Sequence, residues 1–239
     1  MSVRKEKDSR GLLFIWADVD KDFRIEYQKW HNCEHMADRV TIPGFYVGRR
    51  YQGIGDAPDF LMLYETDDSK MLAGEAYLKA KNNPTPWTRE IIKHFNNNGR
   101  NILSLVAIAG KNPPTEAPYL FIVRFDPETG SSEKVIDWYG EKLLSNMSTV
   151  EGVYRGRLYE VDKEVSDIKT EEQNISGSGP GQQSFFALYE IASTDVPTSK
   201  NWRHAFETTE FCGNMRKRLH HVQEELYWLD FTMYAPQTH

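Results

Sequence analysis

The chain has little of what marks several large protein classes. Its 239 residues include two cysteines, Cys33 and Cys212. Two thiols make no disulfide framework; they fit a reducing compartment and structural roles. No apolar run reaches membrane-spanning length, and the charged start Met1–Arg10 has no apolar stretch suited to a signal peptide, so a soluble, cytoplasmic protein is expected. Basic surplus is also missing. A formal net charge of −6 argues against a nucleic-acid partner. The basic cluster Arg216–Lys217–Arg218 before His220–His221 reads as a solvated helix face. Neither a dinucleotide glycine fingerprint nor a P-loop occurs, which disfavours familiar nicotinamide, flavin and nucleotide chemistry.

What is present is a pattern written twice. Gly11–Leu12–Leu13–Phe14–Ile15–Trp16, Trp30, Pro43–Gly44–Phe45 through Arg49–Arg50–Tyr51, and Phe60–Leu61–Met62–Leu63–Tyr64–Glu65 come in that order. Tyr119–Leu120–Phe121–Ile122–Val123, Trp138, Gly152–Val153 through Arg157–Leu158–Tyr159, and Phe185–Phe186–Ala187–Leu188–Tyr189–Glu190 answer them. Such self-similarity points to duplication of one unit. Residues shared by both copies, such as Trp30/Trp138, Gly44/Gly152, Arg49/Arg157 and Tyr64–Glu65/Tyr189–Glu190, are expected to serve the fold. Polar residues found in one copy become candidates for function. These are His31, Glu34, His35, Asp38 and Arg50, which stand opposite Tyr139, Lys142, Leu143, Asn146 and Leu158.

Each copy reads strand, helix, strand, strand, helix, strand. In the first, strands are predicted over 11–18, 45–52, 59–66 and 101–109, with a helix over 22–41 and a broken helix from Ser69 that restarts at Thr85–Pro86. In the second, strands are predicted over 119–125, 152–160, 184–191 and 225–234, with helices over 131–149 and 199–221. The repeats span 11–110 and 118–235, joined by a proline-rich linker. Residues 162–183 have no counterpart. Charged and then Gly/Ser-rich, they are expected to be mobile, at a place that would suit a lid. A βαββαβ unit puts both helices on one face of an antiparallel sheet and leaves the other in need of cover. The expected fold is therefore α+β: two tandem ferredoxin-like units whose sheets pack face to face as a barrel with helices outside. Sheet edges left free would favour a homodimer.

With Trp30–His31–Asn32–Cys33–Glu34–His35 ahead of Ile42–Pro43–Gly44–Phe45 and Arg49–Arg50–Tyr51, the chain resembles the dimeric α/β-barrel superfamily, nearest its EthD-like members. That resemblance implies a small-molecule ligand and a choice among cofactor-free monooxygenases, cyclases, isomerases and haem proteins, which fold alone does not decide.

At about 100° per residue, Glu34 falls inside the apolar stripe of the first helix, with His31 and Asp38 on its border and His35 slightly further round. Desolvation there would favour a neutral carboxyl, and imidazoles nearby could exchange a proton with it. An equal reading makes Glu34 the end of a structural hydrogen-bond network. His31–x–x–Glu34–His35 also matches the inverzincin pattern, but nothing supplies a third ligand, so no metal is assigned. The catalytic candidates are His35, Glu34 and His31. Arg50 and Asp38 are candidates for holding a substrate, and Trp16, Tyr46, Tyr64 and Trp87 for lining an apolar pocket. The leading expectation is an enzyme without cofactor that transfers a proton on a small apolar carbonyl or phenolic compound, as an isomerase, cyclase or lyase. The alternatives are a cofactor-free monooxygenase and a non-catalytic small-molecule or haem-binding protein. A pocket bordered by Glu34, His35 and Arg50 is expected beside the first helix, closed in the second half by Leu143 and Leu158.

Overall fold

A computed structural model describes residues 9–236 of the chain; residues 1–8 of the charged start lie outside that range. The first strand, β1 (Gly11–Val19), is apolar on both faces because both are buried. Leu12, Phe14 and Trp16 belong to one core, and Leu13, Ile15 and Ala17 to another. A short 3-10 turn leads into α1 (Arg24–Trp30), a π-helical stretch His31–His35, and α2 (Met36–Val40), which run on as one helix. Thr41 follows in the last turn, and Gly44 adopts φ +93°, which only glycine takes without strain. Then come β2 (Phe45–Ile54), β3 (Phe60–Thr66), α3 (Glu75–Asn82), α4 (Pro86–Ile91) and β4 (Phe95–Gly110). Thr85 caps α4 by accepting from the Thr88 N–H at 3.0 Å, with Pro86 at the first helical position.

The order then recurs: β5 (Tyr119–Pro127), α5 (Ser132–Asp137), a π-helical stretch Trp138–Leu143, α6 (Leu144–Met147) and β6 (Val153–Val161). Two short helices, α7 (Lys163–Ser166) and α8 (Glu171–Ser176), precede β7 (Phe185–Ile191), α9 (Lys200–Thr208), α10 (Cys212–Arg216) and β8 (Leu219–Tyr234).

The eight strands form a closed antiparallel barrel in the order β1-β3-β2-β8-β5-β7-β6-β4. Closure explains why β4 and β8 are each 16 residues long. β4 pairs with β1 through its first part (Ile15↔Arg100) and with β6 through its second (Leu105↔Tyr159). β8 does the same with β5 (Arg124↔Gln223) and β2 (Arg50↔Phe231). Two expectations change as a result. The helix predicted over 199–221 stops early: Phe211 sits at φ +64° between α9 and α10, and residues 219–224 are strand because β5 needs a partner there. Every described strand also has two neighbours, so pairing of free edges no longer supports a homodimer.

Inside the barrel lie the apolar core around Leu12, Phe14, Leu63, Ile122, Tyr159 and Leu188 and an ion network. Arg49 donates to Glu65 at 2.8 Å, and Arg157 bridges Glu65 at 2.7 Å and Glu190 at 3.0 Å. These are residues present in both copies, and they serve the fold as expected. Burial works against the Glu65 carboxylate, but Arg157 and Arg49 outweigh it and hold its pKa far below the usual range.

The excursion 162–183 departs most from expectation, since it is folded and largely packed. Val165, Ile168 and Ile175 join the core under the first helix. Asp162 caps α7 by accepting from the Val165 N–H at 3.3 Å. Glu172 is 4% exposed and paired with Arg39 of α2 and Lys81 of α3. The segment is hydrophilic in composition, but Asp162, Glu164, Glu171 and Glu172 find cationic partners on the other half of the chain.

Candidate active site

The first helix lies on the outer face of the first-half sheet, and its π-helical stretch decides which side chains turn inward. Bonds of the i→i+5 kind put more residues in a turn, so the 100° wheel drawn from sequence loses phase there. His31 and His35 are consequently both buried, whereas Glu34 is carried to the flank and half-exposed. The second half has its π-helical stretch at the matching place, and there it buries Tyr139 and Leu143.

His31 shares a 3.0 Å hydrogen bond between its Nε2 and the Tyr64 hydroxyl. Tyr189 and Tyr139 make the matching contact in the second half at 3.1 Å. The scaffold contact is thus common to both halves, and an imidazole replaces a phenol in one. Burial, reinforced by Arg50 and Arg39, pushes the His31 pKa well below the ordinary histidine value. His35 stacks on Trp30 with ring centroids 4.2 Å apart. Burial, then Arg39, His31 and Lys81, push its pKa well down too. Both rings are neutral at physiological pH. No hydrogen bond ties His35 to another described residue, so its nitrogens remain available to a ligand.

His35 lines a small cavity of about 40 Å³ that opens to solvent. Ile15, Trp30, Met62, Ile92 and Phe95 supply apolar walls. Lys81, Arg100, Asn98 and, from the excursion, Glu172, Ser176 and Ser178 supply polar ones.

Several residues proposed from sequence lie elsewhere. Glu34 takes hydrogen bonds from the hydroxyls of Thr85 at 2.6 Å and Thr88 at 3.2 Å, while Thr88 accepts from Trp30 Nε1 at 3.0 Å. Glu34 therefore fastens the first helix to α4, which is the structural-network reading. Arg50 is 2% exposed and donates to Asp230 at 2.7 Å and Asn32 at 2.8 Å. Its partner comes from β8, which barrel closure brings beside β2, so it pairs with neither Glu34 nor Asp38. Asp38 is exposed. Trp16 points into the barrel, where the Arg124 guanidinium lies 4.9 Å from its ring, because alternation along β1 turns Ile15 rather than Trp16 to the cavity. Trp87 donates to Glu26 of α1 at 3.2 Å and is not among the cavity-lining residues, and Tyr46 hydrogen-bonds Asp67. Tyr64 reaches the site through His31. Leu143 and Leu158, standing where the first half has His35 and Arg50, are fully buried in the second-half core. Sequence reasoning missed Arg39, Lys81, Arg100 and Glu172. The signal for Glu172 was its place in the one unmatched segment, which composition alone read as mobile.

Among the described residues, no three or more His, Cys, Asp or Glu side chains are grouped so as to hold a metal ion. No described helix is long and apolar enough to cross a membrane.

Two buried neutral histidines give stability a pH dependence with a fixed sign. Each ring binds a proton in the unfolded chain near its ordinary pKa of about 6.5 but resists it when folded, so the unfolded state carries more protons as pH falls. Stability is therefore expected to decline below about pH 6.5, by up to about 1.4 kcal/mol per pH unit for each ring. Urea unfolding between pH 7.5 and 5 checks this. Replacing both His31 and His35 by Gln should flatten the profile, and an unchanged slope would contradict the assignment.

No protein-family model and no curated protein matches the chain in sequence. Solved structures share its fold. An anthrone oxidase-like protein superimposes with a TM-score of 0.63 at 11% identity, over 97% of this chain and 95% of that one. A protein from Lactobacillus acidophilus NCFM described as a monooxygenase gives 0.58 at 9% identity, over 95% and 97%. A variant chlorite dismutase from Candidatus Nitrospira defluvii gives 0.57 at 11%, over 94% and 92%. The chain has the α+β barrel fold of these proteins.

Proposed function

We propose that the protein is an enzyme that works without an organic cofactor and moves a proton on a small carbonyl or phenolic compound held in the first-half cavity. The observation that carries this reading is His35: a neutral imidazole, free of hydrogen bonds to described residues, on the wall of an otherwise largely apolar pocket. A neutral ring can accept a proton. Its pKa, depressed chiefly by burial and further by Arg39, His31 and Lys81, makes it a weak base in isolation, but the two nearby cations also favour the anion left on the substrate. His31, fixed by Tyr64, holds the adjoining helix turn in place.

We assign the chain to the EthD-like branch of this fold as a duplicated protein, with repeats over 11–110 and 118–235 and the working site kept in the first. A homodimer, if formed, would use outer faces rather than strand edges.

The test is deuterium incorporation from heavy water into a panel of small β-dicarbonyl and phenolic compounds. Catalysed exchange at an acidic position is expected; a background rate across the panel would count against proton transfer. The names of two fold neighbours suggest oxygenation as a second reading, which begins with the same proton removal. Oxygen consumption alongside exchange would select it.

A further inference from the structure

The cavity beside His35 is smaller than the substrate proposed for it. Its volume of about 40 Å³ has room for about three water molecules, whereas benzene fits an apolar cavity of about 150 Å³. A carbonyl or phenolic compound therefore enters when a wall moves. Most walls are fixed: Trp30, Met62 and Ile92 belong to the packed core, and Glu172 holds both Arg39 and Lys81. Ser176 and Ser178, from the last part of the excursion between β6 and β7, are held differently. Up to Ile175 the excursion is pinned by Val165, Ile168 and Ile175 in the core and by the buried Glu172. At its other end Gly181 sits against the Trp16 ring, and its N–H donates to Asn101 Oδ1 at 3.0 Å.

Between these anchors, Ser176–Gly177–Ser178–Gly179–Pro180 places no side chain in the hydrophobic core. Hydrogen bonds to β4 tie it down: Asn98 Nδ2 donates to the Ser176 carbonyl at 2.9 Å, and the Arg100 N–H to the Gly179 carbonyl at 2.9 Å. They lie where β4 has β1 on one edge and β6 begins to pair only at Leu103. Gly177 adopts φ +69° at the end of α8, and a side chain at Gly177 or Gly179 would meet open space. The segment is thus free to turn where its neighbours are not. We propose that residues 176–180 form a flap that swings off β4 to admit the substrate and closes over it, while the rest of the excursion stays in place. The proposal rests on reading the cavity as a substrate site. Opening breaks a few hydrogen bonds near solvent and exposes no apolar core, which puts it at the low end of local opening free energies.

Amide hydrogen exchange followed by NMR, with no ligand added, tests the flap itself. The Arg100 N–H, bonded to the flap, is expected to exchange about a hundredfold faster than the Ile102 N–H, which donates at 2.9 Å to Ser166 Oγ in the fixed part of the excursion. Asn98→Ala should speed Arg100 exchange about fivefold, the worth of one hydrogen bond, and leave Ile102 as it is. Equal protection of Arg100 and Ile102 in the wild type would overturn the proposal. A second arm closes the flap by force. Asn98 and Ser178 each precede a member of the bridged pair Gly99 and Gly179, so Asn98→Cys with Ser178→Cys, in a Cys33→Ser background, places two thiols for a disulfide. Oxidation is expected to bring Arg100 exchange down to that of Ile102 and to lower catalysed deuterium exchange into the compound panel at least tenfold relative to the same protein reduced. Equal catalytic rates in an oxidised protein whose Arg100 amide is protected would overturn the proposal. Fast Arg100 exchange in a wild type that catalyses no exchange on any compound would remove the catalytic reading and leave the flap standing.

Discussion

Glu172→Ala is expected to destabilise the protein by about 3–5 kcal/mol, the range for removing one member of a buried charge group. Its carboxylate is the partner of both Arg39 and Lys81, themselves 4% and 6% exposed, so the substitution strands two cations away from water. The effect is larger than any surface ion pair would give, because exposed pairs contribute about 0–1 kcal/mol. It also has a pH signature. Burial opposes ionisation of Glu172, but Lys81 and Arg39 outweigh it and hold the pKa below the ordinary carboxylate range. The folded state therefore binds that proton less readily than the unfolded chain. The stability this contributes is present above the ordinary carboxylate pKa and is lost as pH falls through the lowered one. Urea unfolding of wild type and variant at neutral pH and near pH 3 measures both features. A change below about 1 kcal/mol at neutral pH would mean that the excursion carrying Glu172 is loosely held after all.

Leu143→Ala should cost about 2–5 kcal/mol, because Leu143 is fully buried in a packed core and its removal leaves a void that neighbours fill only in part. His35→Ala occupies the equivalent position in the first half and should cost markedly less. The His35 ring borders an existing cavity, makes no hydrogen bond to a described residue and loses its stacking on Trp30. The same truncation at equivalent places thus separates a residue that fills space from one that faces it. Thermal unfolding of the two variants in one buffer measures the difference. Equal losses would show that His35 is packed as core.

The barrel was legible in the sequence because its cues are local and occur twice. Apolar runs such as Leu12–Ile15, the Pro43–Gly44 stop and the Thr85–Pro86 start each report on a few neighbouring residues. Strand lengths were less legible, because β4 and β8 are extended by partners distant in sequence. His31 and His35 were visible through the asymmetry between the copies, whereas the contact of His31 with Tyr64, a residue shared with Tyr189 of the second copy, was not. Glu34 and Arg50 were assigned to the wrong surroundings for two physical reasons. The π-helical stretch shifts the phase of the helix, which no 3.6-residue wheel contains, and barrel closure delivers Asp230 to Arg50 from 180 residues away. Composition misread residues 162–183 since hydrophilicity reports on exposure only when charges lack partners, and Glu172 has two.

The central claim is that the first-half cavity works through His35 whereas its second-half equivalent is filled core. Deuterium exchange into the best compound of the panel, measured for wild type, His35→Ala and Leu143→Ala below the melting range of the weakest variant, tests it most directly. The account predicts a loss of about 10²–10⁴-fold for His35→Ala, the usual contribution of a positioned general base. It predicts a rate near that of the wild type for Leu143→Ala. A His35→Ala protein that exchanges at the full wild-type rate, folded and with unchanged affinity, would contradict it.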